Sequence, residues 1–407
     1  MKKILFFLLF VVQGAFAQNI NGSWHGILEA GQQKFNFIFE IDKTANSVKL
    51  SLPVQSIKGL PMEVAYLSDD SISVSLAQYG LSYQGRFQGD ELQGQYHQGM
   101  FSAKLNCKKG TFKVNRPQEP KPPYPYTTEE VTFNNGNEAK LAGTLCYPVG
   151  YKEGQQVPVV LFVTGSGQED RNQEIYEHKS FLVVADWLAR HGVASLRYDD
   201  RGVGGSTGDV KNATTYDFAK DAAAGIDYLR SLKRFSKVGL IGCSEGGGIG
   251  YMLAADKKLD FLVSWCGPAC KSDTMMVLQI NALSAAEGGP ANIVKTAADA
   301  RKVVLQIKDD AWTRCMVDLD FTPYVKKTHC PVLALFGEKD VNVPAAMNEA
   351  SLKTNLPQNA KNKIKVYPGL NHLLQHCKYG PIPESLNIEE TISPEVLQDM
   401  SDWINNL

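Results

Sequence analysis

The chain has 407 residues, enough to bury a large core and more than one small domain ordinarily needs, so two domains are expected. Hydrophobic residues make up 43% and charged residues 21%, ordinary proportions for a globular protein rather than a disordered one. The 42 basic residues nearly balance the 43 acidic ones, and no Lys/Arg cluster exceeds a short pair such as Lys108-Lys109, so a nucleic-acid partner has no electrostatic footprint.

Residues 1–17 read as a secretory signal. Lys2 and Lys3 form its positive end, residues 4–12 its apolar stretch, and Ala15-Phe16-Ala17 a small-x-small cleavage site. The apolar run falls short of the roughly 20 residues that a membrane helix needs, so no stable membrane span is expected. The mature chain is expected to begin at Gln18 and to work in the periplasm or outside the cell.

From 18 to 114 the pattern is that of strands. Phe35, Phe37, Phe39 and Ile41 alternate at period 2, as do Ile72, Val74 and Leu76, while Gly85, Gly89, Gly94 and Gly99 punctuate later short segments. A small all-β barrel or sandwich is expected here. Its aromatic residues Trp24, Tyr79, Tyr83 and Tyr96 either fill the core or form a face for a glycan or partner. Five prolines at 117, 120, 122, 123 and 125 then favour an extended connector over 115–126.

Strands and helices alternate over 127–407, which predicts an α/β domain with a doubly wound, mostly parallel sheet. Strands are expected at 159–163, 193–198, 238–241, 261–265, 331–336 and 363–367. Helical stripes run through Phe181, Val184, Ala185 and Leu188, through Phe218, Ala222, Ile226 and Leu229, and near 396–404. The stretch 271–327 interrupts the alternation with helical patterns and no strand, and is expected to form a helical cap. Eight cysteines make up too little of the chain to be its scaffold, and their spacing does not choose a disulfide pairing.

Gly242-Cys243-Ser244-Glu245-Gly246 lies between an expected strand and an expected helix, the setting that makes Gly-x-Ser-x-Gly a nucleophile elbow. A serine hydroxyl needs a base to remove its proton as it attacks an acyl carbon. His372, just past the last expected strand, is the candidate base. Asp340, after the strand ending at Phe336, is the candidate carboxylate that orients it, with Glu338 its close rival. The oxyanion formed by attack needs N–H donors, and Glu245, Ser166 and Gly167 are the candidates. His376 lies four residues after His372, but Leu373 stands where a zinc-protease helix needs glutamate, so neither metal nor organic cofactor is expected.

Together with Arg197-Tyr198-Asp199-Asp200-Arg201-Gly202, Gly165-Ser166-Gly167, Asp170-Arg171 and Asn371-His372, these motifs resemble the α/β-hydrolase superfamily. The resemblance is to its bacterial carboxylesterase and serine-aminopeptidase-like branch and spans 124–407. Cys243 replaces the histidine that this branch often carries beside its nucleophile. The resemblance implies that Asp199, Asp200 and Arg201 support the site, and that the chain cleaves a small-molecule carboxylic ester through an acyl-serine. A serine aminopeptidase or amidase is the alternative, and a binding protein with an inactive hydrolase domain is another.

Overall fold

A computed structural model describes residues 19–30, 33–55 and 57–407, and the expected signal at 1–17 lies outside them. The chain divides into two compact units between Lys113 and Val114.

The first unit is an antiparallel ring of nine strands: β1 (Gly22–Ala30), β2 (Gln33–Asp42), β3 (Ser47–Leu52), β4 (Ile57–Pro61), β5 (Glu63–Leu67), β6 (Ser71–Leu76), β7 (Leu81–Gln88), β8 (Glu91–Gln98) and β9 (Phe101–Lys109). Each strand pairs with its chain neighbour, except that β4 holds β3 while β5 holds β6. Only Met62 separates those two, so one stave changes partner there, and pairing of β1 with β9 joins the first strand to the last. Alternation sends Phe37, Phe39, Ile41, Ile72, Val74 and Leu76 inward, where all are buried.

Two of the expected punctuating glycines, Gly89 and Gly99, lie in turns, but Gly85 and Gly94 sit inside strands. The reason is Tyr83. Its buried ring fills the barrel, its hydroxyl donates to Leu105 O at 3.0 Å, and a Cβ on Gly94 would lie 2.3 Å from the Tyr83 hydroxyl oxygen itself. Trp24 and Tyr96 are buried as well, leaving Tyr79 as the exposed member of the four aromatics.

The second unit is built on a mixed sheet of eight strands: β10 (Thr128–Asn135), β11 (Ala139–Cys146), β12 (Val157–Val163), β15 (Ala194–Tyr198), β16 (Phe235–Cys243), β17 (Leu262–Trp265), β18 (Val332–Gly337) and β19 (Lys363–Tyr367), with the two-residue pair β13 (Glu174–Ile175) and β14 (His178–Lys179) outside it. The spatial order is β10-β11-β15-β12-β16-β17-β18-β19. The six strands from β15 to β19 are parallel, whereas β10 and β11 form an antiparallel edge hairpin.

Helices cover both faces, as a parallel sheet requires. Alternate residues of β12 show why: Val159, Leu161 and Val163 pack with α2 (Thr215–Ser231) and α3 (Glu245–Ala255), while Val160 and Phe162 pack with α1 (Ser180–Arg190) and α9 (Pro394–Asn405). Between β17 and β18 the chain makes four helices without a strand: α4 (Ser272–Ala286), α5 (Ala297–Ile307), α6 (Ala311–Asp318) and α7 (Thr322–Lys327). A further helix, α8 (Ala345–Asn355), separates β18 from β19.

The proline-rich segment is tied to the second unit. Arg116 donates to Ile388 O at 2.6 Å and Tyr176 O at 2.8 Å, and Gln118 accepts from the Thr391 N–H at 2.6 Å. None of the eight cysteines, all of them among the described residues, is in a disulfide. Among those residues no helix is long and apolar enough to cross a membrane.

Candidate active site

Sheet register gathers the candidate residues. Val163 pairs with Gly242, Cys243 with Trp265, and Gly337 with Tyr367, so β12, β16, β17, β18 and β19 end along one edge. The loops leaving that edge carry Ser166, Ser244, Asp340 and His372. It is the carboxyl edge, where open parallel sheets bind their ligands.

Ser244 stands between β16 and α3 with φ 53° and ψ −120°, a backbone state that costs about 1–3 kcal/mol for a residue with a side chain. Its surroundings enforce that state. Ser244 N–H donates to Trp265 O at 2.8 Å, and Ser244 O accepts from Gly247 N at 2.9 Å. The turn is so tight that a Cβ on Gly242 would lie 2.1 Å from Gly246 O, and one on Gly246 would lie 2.2 Å from Val163 O. Both glycines of the motif are therefore steric necessities, and they leave the serine half-buried at the head of a helix.

Asp340 is buried, with its two carboxylate oxygens assigned to different tasks. Oδ1 accepts from the Asn342 and Val343 N–H groups, each at 2.8 Å, which fixes the carboxylate's plane. Oδ2 meets His372 Nδ1 at 2.7 Å. With a carboxylate as its neighbour Nδ1 carries the proton, so Nε2 is the basic nitrogen. The histidine loop is fixed in turn: Asn371 Oδ1 accepts from Leu373 N at 2.9 Å and Gln375 N at 3.0 Å, and His372 O accepts from Trp265 Nε1 at 3.3 Å.

Glu338, the rival acid, is exposed and accepts from Gly369 N–H at 2.9 Å. His376 pairs with Glu390 at 2.9 Å. Cys266, near enough in sequence to Cys270 to pair with it, is instead a buried free thiol beside the site. Its sulfur, an Asp340 oxygen and a His372 nitrogen lie within 4.8 Å of one another, a grouping with metal-ligand chemistry. Burial, reinforced by the Asp340 charge, holds the Cys266 thiol well above its ordinary range, so it keeps its proton and is a poor ligand in that state.

The loop after β12 is held by acids from the β15 end. Asp200 accepts from Thr164 Oγ1 at 2.8 Å and Glu169 N–H at 3.0 Å, and burial pushes its own carboxyl up to about 8. Asp199 takes both Nε and Nη2 of Arg171, at 3.0 and 2.8 Å, while Arg201 makes a buried two-bond pair with Asp221 at 2.7 and 2.8 Å. These fixed loops present Ser166 to a pocket of about 260 Å³ that Ser244, Glu245 and His372 also line. Glu245 is the first residue of α3, where a helical N–H has no partner within the helix. Gly167, beside Ser166, is exposed with φ 128°.

The Glu245 side chain departs from expectation. Its place at a helix N-terminus favours an anion, but it is buried, which raises its pKa, and it accepts from Thr215 Oγ1 at 2.6 Å and Trp312 Nε1 at 3.1 Å. It therefore fastens α6 to the elbow helix. The wall from α4 and α6 is mostly apolar: Met275, Met276, Trp312 and Met316 line the pocket with Gln279 among them, and Pro268 and Ile382 line it too. Glu169 also reaches the pocket, its carboxyl pushed up to about 7 by burial and then by Asp170. No local motif marks these residues; only the fold brings them to Ser244. A larger hollow of about 950 Å³ beside Tyr216, Tyr228 and Tyr324 holds none of the candidate residues.

Residues 136–311 match the family described as X-Pro dipeptidyl-peptidase (S15 family), a span that takes in Ser166 and Ser244 and ends before Asp340 and His372. That match falls on a mixed sheet whose serine sits at a strand-turn-helix junction. The chain has the α/β-hydrolase fold. The chain is 25% identical over 390 residues to esterase EstD of Thermotoga maritima, covering 91% of this chain and 92% of that relative, so the likeness extends into the N-terminal unit. Among solved structures it is similar to the Pyrococcus furiosus esterase Pf2001, at 15% identity and a TM-score of 0.49 over 73% of this chain and 99% of that one. It is also similar to Est1E of Butyrivibrio proteoclasticus, at 19% identity and a TM-score of 0.43 over 68% and 99% of the two chains.

Proposed function

We propose that this α/β-hydrolase is an exported serine esterase that cleaves small carboxylic esters through an acyl-serine intermediate. Ser244 Oγ attacks the acyl carbon while His372 Nε2 takes its proton, and Asp340 stabilises the resulting imidazolium. The carbonyl oxygen becomes an oxyanion held by the N–H groups of Glu245 and Ser166, with Gly167 as the alternative second donor. When the intermediate collapses, the alcohol leaves with the proton from His372. Water, deprotonated by the same nitrogen, then releases the acid and restores Ser244. Every step uses the chain's own groups, without metal or organic cofactor. Export rests on the signal-like residues 1–17.

The observation that supports this reading most is the 2.7 Å contact of Asp340 with His372 in the loop that lines Ser244's pocket. The apolar wall favours an uncharged acyl group, and its three methionines can adapt to more than one shape. The experiment is a comparison of kcat/KM for matched ester and aminoacyl-amide substrates of graded chain length. Esters of short apolar acids are expected to lead, and a clear advantage for the free-amine amides would overturn the esterase reading.

Aminopeptidase or amidase activity is the second reading, favoured by the S15 family match and by Glu169, a carboxyl able to hold a substrate ammonium. The same residue predicts a pH effect. Below pH 7 Glu169 is mostly neutral, and above it the new anion stands beside the loop that must stabilise an oxyanion. For a neutral ester, the ratio of wild-type to Glu169→Gln kcat/KM should be near one at low pH. It should fall as pH rises through 7, by roughly fivefold for about 1 kcal/mol of repulsion in a partly wet site. A ratio that stays flat from pH 5.5 to 8.5, on the order of three units around that pKa, would remove Glu169 from the site's electrostatics. For an aminoacyl amide the ratio should instead rise with pH if the second reading holds.

A further inference from the structure

The N-terminal barrel is packed unequally along its length. At one end, Trp24 and Phe87 meet with ring centroids 5.0 Å apart and Phe39 stacks on Tyr83 at 4.9 Å, so side chains fill the interior. The other end encloses a cavity of about 340 Å³. Its wall comes from the residues that flank four turns of the same end: Leu28 and Phe35, Leu52 and Ile57, Leu76 and Leu81, Gln98 and Phe101. A barrel of about eight strands is just wide enough either to be filled by its own side chains or to hold one small ligand. This barrel does the first in one half and leaves room for the second in the other.

Three features give the ligand's chemistry. The wall is aliphatic and aromatic, with Leu50, Leu76 and Leu81 buried beneath the mouth, and an apolar space of this size is unfavourable to wet. Polar atoms are confined to the rim, where Gln98 accepts from Tyr96 Oη at 2.6 Å and donates to Tyr79 O at 3.3 Å, with Gln55 nearby. Among the described lining residues none is charged, so a charged end brought inside would lack a partner. Tyr79 and Phe101 remain half-exposed at the mouth, an apolar lip for an entering molecule. The volume lies at the small end of the roughly 300–1,000 Å³ typical of small-molecule pockets.

We propose that the barrel of the N-terminal unit is a binding site for a neutral amphiphile, a medium-length hydrocarbon chain with a hydroxyl or amide end. The chain lies among Leu28, Leu50, Leu76 and Leu81, and the polar end stays at the glutamine rim. This site is separate from the pocket at Ser244 and stands whether or not that pocket cleaves esters.

Decanol titrated into the intact methyl-labelled protein tests it. Saturable shifts of the Leu28, Leu50, Leu76 and Leu81 methyl signals are expected, with weaker binding of decanoate at a pH where it is ionised. Shifts confined to leucines after Val114, or no shifts up to the solubility limit, would overturn the proposal, as would tighter binding of a soluble oligosaccharide at the same methyls. Leu76→Trp, which fills the cavity, should weaken decanol binding at least about tenfold, a loss of about 1.4 kcal/mol, and leave turnover unchanged. Undiminished binding in a folded Leu76→Trp protein would likewise refute the site. The titration of the unmodified protein decides the matter if that variant does not fold.

Discussion

Ser244→Ala should leave the fold in place and lower ester turnover by on the order of a million-fold in kcat, the loss typical when a serine triad loses its nucleophile. The backbone bonds that fix the turn, from Ser244 N–H to Trp265 O and from Gly247 N–H to Ser244 O, do not involve the hydroxyl and persist in the variant. Its melting temperature should therefore stay close to that of the parent. The rival nucleophile is the adjacent Cys243, but burial pushes that thiol up to about 12, so almost none is thiolate near neutral pH. A serine-directed phosphonate should label Ser244 alone. A label on Cys243, or near-normal turnover in folded Ser244→Ala protein, would sink the proposed mechanism.

Asp340→Asn is expected to cost about 10,000-fold in kcat while the site keeps its shape. An asparagine oxygen can go on accepting from Asn342 and Val343, as Oδ1 does now. Its NH2 group would then face His372 Nδ1 in place of Oδ2, and two donors cannot share that contact. The ring must move its proton to Nε2, which loses the lone pair that takes the serine proton. Nitrogen NMR of the imidazole should report the exchanged tautomer along with the lost rate. Glu338→Gln is the control: Glu338 is exposed and bonded to a backbone amide, so its loss should change kcat little. The reverse ranking of the two variants would assign the orienting acid to Glu338.

Much of this architecture was legible in the sequence because it is local. Period-2 runs such as Phe35 to Ile41 specify strands wherever they occur, and Phe218, Ala222, Ile226 and Leu229 specify a helix face. The Gly-x-Ser-x-Gly turn is legible for the same reason: five consecutive residues contain the steric conflict that its glycines relieve. Ser166, Ser244, Asp340 and His372 could be nominated because each follows a strand that announces itself.

The hairpin of β10 and β11 was not foreseen, since the strands expected in the second unit begin at Val159. Val131 and Phe133 do alternate there, and Asn134-Asn135-Gly136 is a turn sequence, but the antiparallel edge exists through pairing with β15, far along the chain. The inward glycines of the barrel were misread for a similar reason. Gly94 looks like a turn residue until Tyr83 is placed against it.

By itself the sequence determined the strand and helix types and the short motifs, because each depends on the preferences of a few neighbouring residues. Tertiary structure alone decided that Glu245 is buried under Trp312, that Cys266 lies beside Asp340, that Glu169 faces the pocket, and that one end of the barrel stays unfilled. Those facts depend on register across a whole sheet and on which side chains, distant in sequence, compete for the same space. No local pattern carries that information, since a carboxylate in water and one sealed beneath an indole are the same residue until the chain has folded.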